Sequence, residues 1–132
     1  MVIDKRLRPK EAYILKLCLD YLAIRSDCFC WRNNNHAVPI GMTGKFRRPG
    51  RHSPKGISDI LGIFSDGRMI AIEIKRPGAK PTEDQGAFLR IVQNCGGIAF
   101  VATSVEEVRA GLDRAAQFPD KPRCDPQCKN AV

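Results

Sequence analysis

Asp59, Glu73 and Lys75 are the residues of this sequence whose types and spacing suggest chemistry. They are the charged residues that lie outside the turn in an otherwise apolar stretch, residues 57–75, ISDILGIFSDGRMIAIEIK. Strand alternation places Met69, Ala71, Glu73 and Lys75 on one face and Ile70, Ile72 and Ile74 on the other. The turn decides where Asp59 falls. A two-residue loop at Asp66-Gly67 would pair Asp59 with Ile74 and turn it away from Glu73. A three-residue loop, Ser65-Asp66-Gly67, closes on Phe64 and Arg68 and sets Asp59 opposite Glu73. The second is expected, because Gly67 then takes the left-handed last position of a type I turn with a bulge.

Two carboxylates placed together in an apolar hairpin repel each other, and each loses hydration. A divalent cation relieves both costs, and hard oxygen donors suit magnesium or manganese. The plainer alternative is a half-exposed Glu73–Lys75 ion pair with Asp59 capping a turn. The surroundings must decide between them. Residues 41–56, GMTGKFRRPGRHSPKG, carry Lys45, Arg47, Arg48, Arg51 and Lys55 with no acid among them. Four glycines and two prolines there should keep any regular element from persisting. This loop runs directly into Asp59, so a polyanion held by it would lie beside the carboxylates, and phosphate contact is its preferred reading.

The elements that must position these residues follow in order. After a basic lead-in, Pro9 suits the first turn of a helix that runs to about Ile24, with a broad apolar face from Ile14 to Leu22. Glu11, in its first turn, is either a favourable charge at the positive helix end or a further metal ligand. Residues 27–32 read as a strand, with Phe29 and Trp31 on one face and Cys28 and Cys30 on the other. Trp31 reads as core rather than as a base-stacking platform, and His36 as a solvated turn residue. Thr82 and Gln85 form a capping-box signature for a helix ended by Gly96-Gly97. Capping alone accounts for Gln85, which also points toward the end of the Lys75 strand. Residues 98–102 are a buried strand, most simply parallel to the Glu73 strand through the crossover helix. Ser104 and Glu107 repeat the capping signature and open a last helix to about Gln117. Beyond it a proline- and charge-rich tail lacks periodicity.

The totals fit one domain. The chain has 132 residues, 22 basic against 14 acidic, a net charge of +8, and a pI near 9.5. That balance points to a polyanionic partner. No apolar run is long enough to span a membrane and no signal-type segment opens the chain, so an intracellular setting with reduced thiols is expected. Cys28-x-Cys30 and Cys124-x-x-x-Cys128 match no usual zinc spacing, and zinc is not expected.

The order helix, strand, hairpin, helix, strand, helix describes an α/β fold, a mixed sheet flanked by helices. With its charged triplet on the central hairpin, it resembles the restriction-endonuclease-like superfamily. That signature is Asp, a variable gap, Asp or Glu, one residue, then Lys. Here it is Asp59, thirteen residues, Glu73, Ile74, Lys75. More narrowly, the chain is similar to the VRR-NUC family of virus-type replication and repair nucleases over about residues 10–112. The matching residues are Glu11, Trp31-Arg32-Asn33-Asn34, Lys55-Gly56-Ile57-Ser58-Asp59, Glu73-Ile74-Lys75, Gln85 and Cys95-Gly96-Gly97. Ser58 stands where the family usually has proline, which bears on loop stiffness rather than chemistry.

The expected organisation is one nuclease domain over residues 1–118, in the order α-β-β-β-α-β-α, followed by an irregular tail over 119–132 that has no counterpart in the family. It implies that Asp59 and Glu73 bind one or two magnesium or manganese ions, with Glu11 nearby and the Ile74 carbonyl completing the shell. Lys75 would orient or deprotonate the attacking water, and Gln85 would position the lysine or the water. The expected activity is metal-dependent hydrolysis of DNA phosphodiester bonds in branched, flapped or four-way (Holliday) junction DNA during replication, recombination or repair. A homodimer suits such twofold substrates, and a small standalone nuclease of this kind suggests a phage or prophage origin. The alternatives are a non-catalytic basic module that binds nucleic acid, and a nuclease for RNA or short single strands.

Overall fold

The computed structural model describes residues 5–34, 38–47 and 52–119. A short 3-10 turn at Lys5–Leu7 precedes helix α1, Glu11–Ile24. Ile14, Leu15, Cys18 and Leu22 recur at helical spacing on α1 and are its buried residues. Arg25 then ties three elements together. It donates to both carboxylate oxygens of Asp27 at 2.6 and 2.9 Å and to the Tyr21 hydroxyl at 2.9 Å. Its third partner is Asp113, on the last helix, at 2.8 Å.

Strand β1, Cys28–Arg32, pairs antiparallel with β4, Ile60–Phe64, and β4 pairs antiparallel with β5, Met69–Ile74. Gly62 permits the first pairing, since a Cβ there would stand 2.5 Å from Cys30 Sγ. The hairpin turn is the three-residue one that Gly67 implies. Phe64 N–H donates to Arg68 O at 2.9 Å and Gly67 N–H to Phe64 O at 2.8 Å, with Gly67 at φ 88°. Arg68 is buried and locks this turn onto the end of the last helix among the described residues, Val105–Gln117. Its guanidinium reaches Asp66 at 2.7 Å, Ala115 O at 2.6 Å and Phe118 O at 3.2 Å.

Helix α2, Glu83–Asn94, starts with a complete capping box. Gln85 N–H donates to Thr82 Oγ1, and Thr82 N–H donates to Gln85 Oε1 at 2.8 Å. Gly96, at φ 83°, ends the helix. The chain crosses to β6, Ile98–Ala102, which lies parallel to β5, and continues into α3, Val105–Gln117. Ser104 caps α3, but the reciprocal half of its expected box differs. Glu107 accepts from Thr103 N–H at 2.6 Å and from its hydroxyl at 3.0 Å.

The sheet order is β1-β4-β5-β6. On one face, α1 and α3 cover Ile60, Phe64, Ile70, Ile72 and Ile74, the main core. On the other, α2 packs on β5 and β6 around Ala71, Leu89, Val92 and Ala99. This is the restriction-endonuclease-like α/β architecture, a four-stranded mixed sheet flanked by three helices. No helix among the described residues is long and apolar enough to cross a membrane.

Two expectations are corrected. Trp31 is not core. It and Phe29 lie exposed on the sheet face beyond the reach of α2. The segment expected to hold no regular element contains β3, Phe46–Arg47, paired antiparallel with β2, Val38–Pro39. A tight turn through Gly41 and Gly44, both at positive φ, lets Ile40 N–H reach Lys45 O at 2.9 Å and closes this small ladder. The tail, His36, Arg48 and Arg51 lie outside the described residues.

Candidate active site

The hairpin register brings the acids together. Ile60 opposes Ile72, so Asp59, one residue before β4, meets Glu73 across the ladder. Asp59 is held from both sides. Its carbonyl accepts Asn33 N–H at 2.7 Å from the end of β1, and its Oδ2 accepts Ile74 N–H at 3.0 Å from β5. That second bond places the Ile74 peptide beside the carboxylate pair.

Glu73 is 1% exposed, and among the described residues neither carboxylate oxygen has a hydrogen-bond partner. Lys75 Nζ stands 3.2 Å from Glu73 Oε1, in ion-pair range but not aligned as a hydrogen bond. The Lys75 backbone N–H donates to Ala102 O at 3.0 Å, which fixes the strand end that carries the amine. Burial pushes the Glu73 carboxyl up to about 7, the negative charge of Asp59 pushes the same way, and Lys75 opposes both. A buried carboxylate without donors beside a second acid is costly by itself. Such hard oxygen donors fit a divalent cation, which would satisfy them and cancel their repulsion.

Other expected residues are placed differently. Glu11 occupies the first turn of α1, and no group of three metal-ligating side chains forms among the described residues. The structure therefore brings Asp59 and Glu73 together, and Glu11 does not complete a triad with them. Gln85 spends its side-chain oxygen on the Thr82 cap. The loop before Asp59 packs against that same first turn of α2. At Gly56, with φ +70°, a Cβ would come 2.3 Å from Asp84 C. Lys45 and Lys55 are exposed. Arg47 lies on β3.

Three features were not anticipated. Ser58 is fully buried and its hydroxyl has no partner among the described residues. Arg76, directly after Lys75, keeps Nε buried and unpartnered while its Nη2 donates to Arg8 O at 3.4 Å. Arg8, Arg76, Pro77, Gly78 and Ala79 line a cleft of about 260 Å³. Two guanidinium groups at one cleft suit a phosphate. The signal available in the sequence was the basic lead-in and the Lys75-Arg76 pair, but nothing local joined residues 8 and 76.

Among known families, the model of the VRR-NUC domain matches residues 10–106. That span takes in Glu11, Asp59, Glu73, Lys75 and Gln85. No curated protein and no solved structure matches the chain.

Proposed function

The chain belongs to the VRR-NUC family of nuclease domains, and on that premise we propose that it is a magnesium- or manganese-dependent endonuclease that hydrolyses DNA phosphodiester bonds. The observation that carries this reading is the buried Glu73 carboxylate, without hydrogen-bond donors among the described residues, set across the ladder from Asp59. Asp59 and Glu73 would hold the cation, with the Ile74 carbonyl as a third oxygen. When bound, it supplies charge neutralisation at the phosphate and lowers the pKa of water.

The chain's own groups supply the rest. Lys75 Nζ, beside Glu73, orients or deprotonates the attacking water and balances the charge that develops on phosphorus. Arg8 and Arg76, just past Lys75 in the fold, hold a neighbouring phosphate, and Lys45, Arg47 and Lys55 add contacts ahead of Asp59. Gln85, anchored by its oxygen in the α2 cap, has its amide nitrogen left with which to position Lys75 or the water. The substrate is branched, flapped or four-way junction DNA, and a chain with one such site cuts two strands by pairing as a homodimer.

The test is cleavage of labelled flap, splayed-arm, hairpin, four-way junction and RNA substrates with magnesium, manganese or EDTA. Branched DNA is expected to be cut with either metal and not in EDTA. Glu73→Gln and Lys75→Ala should each lose at least about a hundredfold in rate, the range general acid–base groups supply. Cleavage that persists in EDTA, or a Lys75→Ala protein that cuts at the parental rate, would overturn the mechanism.

A further inference from the structure

Helix α2 packs on β5 and β6 and reaches Leu61 of β4, and beyond Leu61 the carboxylate-bearing face of the sheet continues into an open apolar surface. The register fixes its rows. Trp31, Leu61 and Ala71 lie across neighbouring strands in the row next to Asp59 and Glu73, and Phe29, Ile63 and Met69 form the row beyond. Phe29 is 72% exposed, Trp31 41%, Ile63 51% and Met69 42%. The two rings stand side by side, with centroids 5.9 Å apart.

Three features indicate what such a surface takes. Rows on one face repeat every ~7 Å along a strand, whereas a stacked nucleic-acid strand rises ~3.4 Å per nucleotide. With neighbouring strands ~4.8 Å apart, Trp31 and Phe29 therefore stand within about two to five nucleotides of the carboxylates. Exposed aromatic pairs on a sheet are platforms for unpaired bases, since every base offers a π-face. The patch is on the order of a few hundred Å², about half of the ~800 Å² per partner that a stable protein interface buries.

Resting on the nuclease reading, we propose that Trp31 and Phe29 stack unpaired bases of the substrate strand next to the scissile phosphate. The site thereby selects DNA that is single-stranded beside the cut and discriminates against continuous duplex, whose bases cannot reach the rings. Discrimination comes from the sheet face and orientation from the carboxylates and the basic cleft.

Trp31 is the single tryptophan of the chain, so its fluorescence reports the contact without any cleavage. In EDTA, a short oligothymidine single strand is expected to quench the emission, and a blunt duplex of equal length to quench it far less. Phe29→Leu and Trp31→Leu, which keep the surface apolar and remove the rings, should each weaken single-strand binding about tenfold by anisotropy. Trp31→Phe should restore most of it. Equal quenching by duplex and single strand, no quenching at all, or parental binding by both leucine variants would overturn the proposal. So would a loss of self-association in Phe29→Asp with single-strand binding unchanged, which would make this face a contact between copies. Quenching by the parent protein that cuts nothing with magnesium leaves the platform standing and removes the nuclease reading; cutting without quenching does the reverse.

Discussion

At the scale of single residues, Glu73 is the group most at odds with its surroundings. Its carboxyl is raised above the ordinary value, to about 7, chiefly by burial and then by Asp59. A carboxyl raised in the folded state contributes stability that is present below its unfolded pKa and lost as pH rises through its folded one. The metal-free protein should therefore melt at a higher temperature at pH 5 than at pH 8, and Glu73→Gln should flatten that dependence and raise Tm at pH 8. Thermal melts in EDTA check both. On the proposed function a cation at Glu73 would have to displace the proton, so metal affinity measured by calorimetry should fall as pH drops below about 7. Ser58 supplies an independent test. Its buried hydroxyl has no partner among the described residues, so Ser58→Ala should stabilise the protein by about 1 kcal/mol, read from denaturant midpoints. At this scale the sequence was informative where charge stood out against apolar neighbours, as with Asp59, Glu73 and Lys75. It was silent where burial is decided by distant chain, as with Ser58 and Arg76. Trp31 was misjudged because alternation says which face a residue shares but not whether a helix covers that face.

Among the elements, the hairpin does the positioning, and its turn sets the register. Gly67 sits at φ 88°, a conformation that costs a residue with a Cβ about 1–2 kcal/mol. Gly67→Val should lower stability by that amount or more, and where the turn adjusts its length the acids part and cleavage falls further than Tm does. Comparing rate against melting temperature separates the two effects. Gly56→Ala should act similarly from the other side, since its Cβ would be driven into the first turn of α2 and displace the loop that delivers Asp59. The crossover from α2 to β6, the capping box at Thr82 and the three-residue turn were all legible, because each has a local cause in side-chain type. The β2–β3 ladder was not, since two paired residues on each side leave no periodicity to detect. Glu107 likewise turned to Thr103 rather than to the cap, a choice between adjacent N–H groups that spacing does not settle.

For the molecule as a whole, the net charge of +8 makes affinity for DNA a matter of counterions. Binding measured in EDTA should weaken linearly in log–log plots against salt, and Arg76→Met should reduce the slope by about one if that cleft holds one phosphate. The same substitution should weaken binding to every DNA structure alike, unlike the ring substitutions. The fold class was readable from element order, while the long-range ties were not. Arg25 joins α1, the turn that leads into β1 and α3, and Arg68 reaches 47 and 50 residues forward to Ala115 and Phe118. That last clasp has a consequence for how the protein is made. A ribosome delivers Arg68 well before the carbonyls that hold it, so a nascent chain arrested short of residue 115 must bury a cation with two acceptors missing. The hairpin that carries Asp59 and Glu73 is thus secured only once α3 has been made, which delays a complete site until this domain has left the exit tunnel.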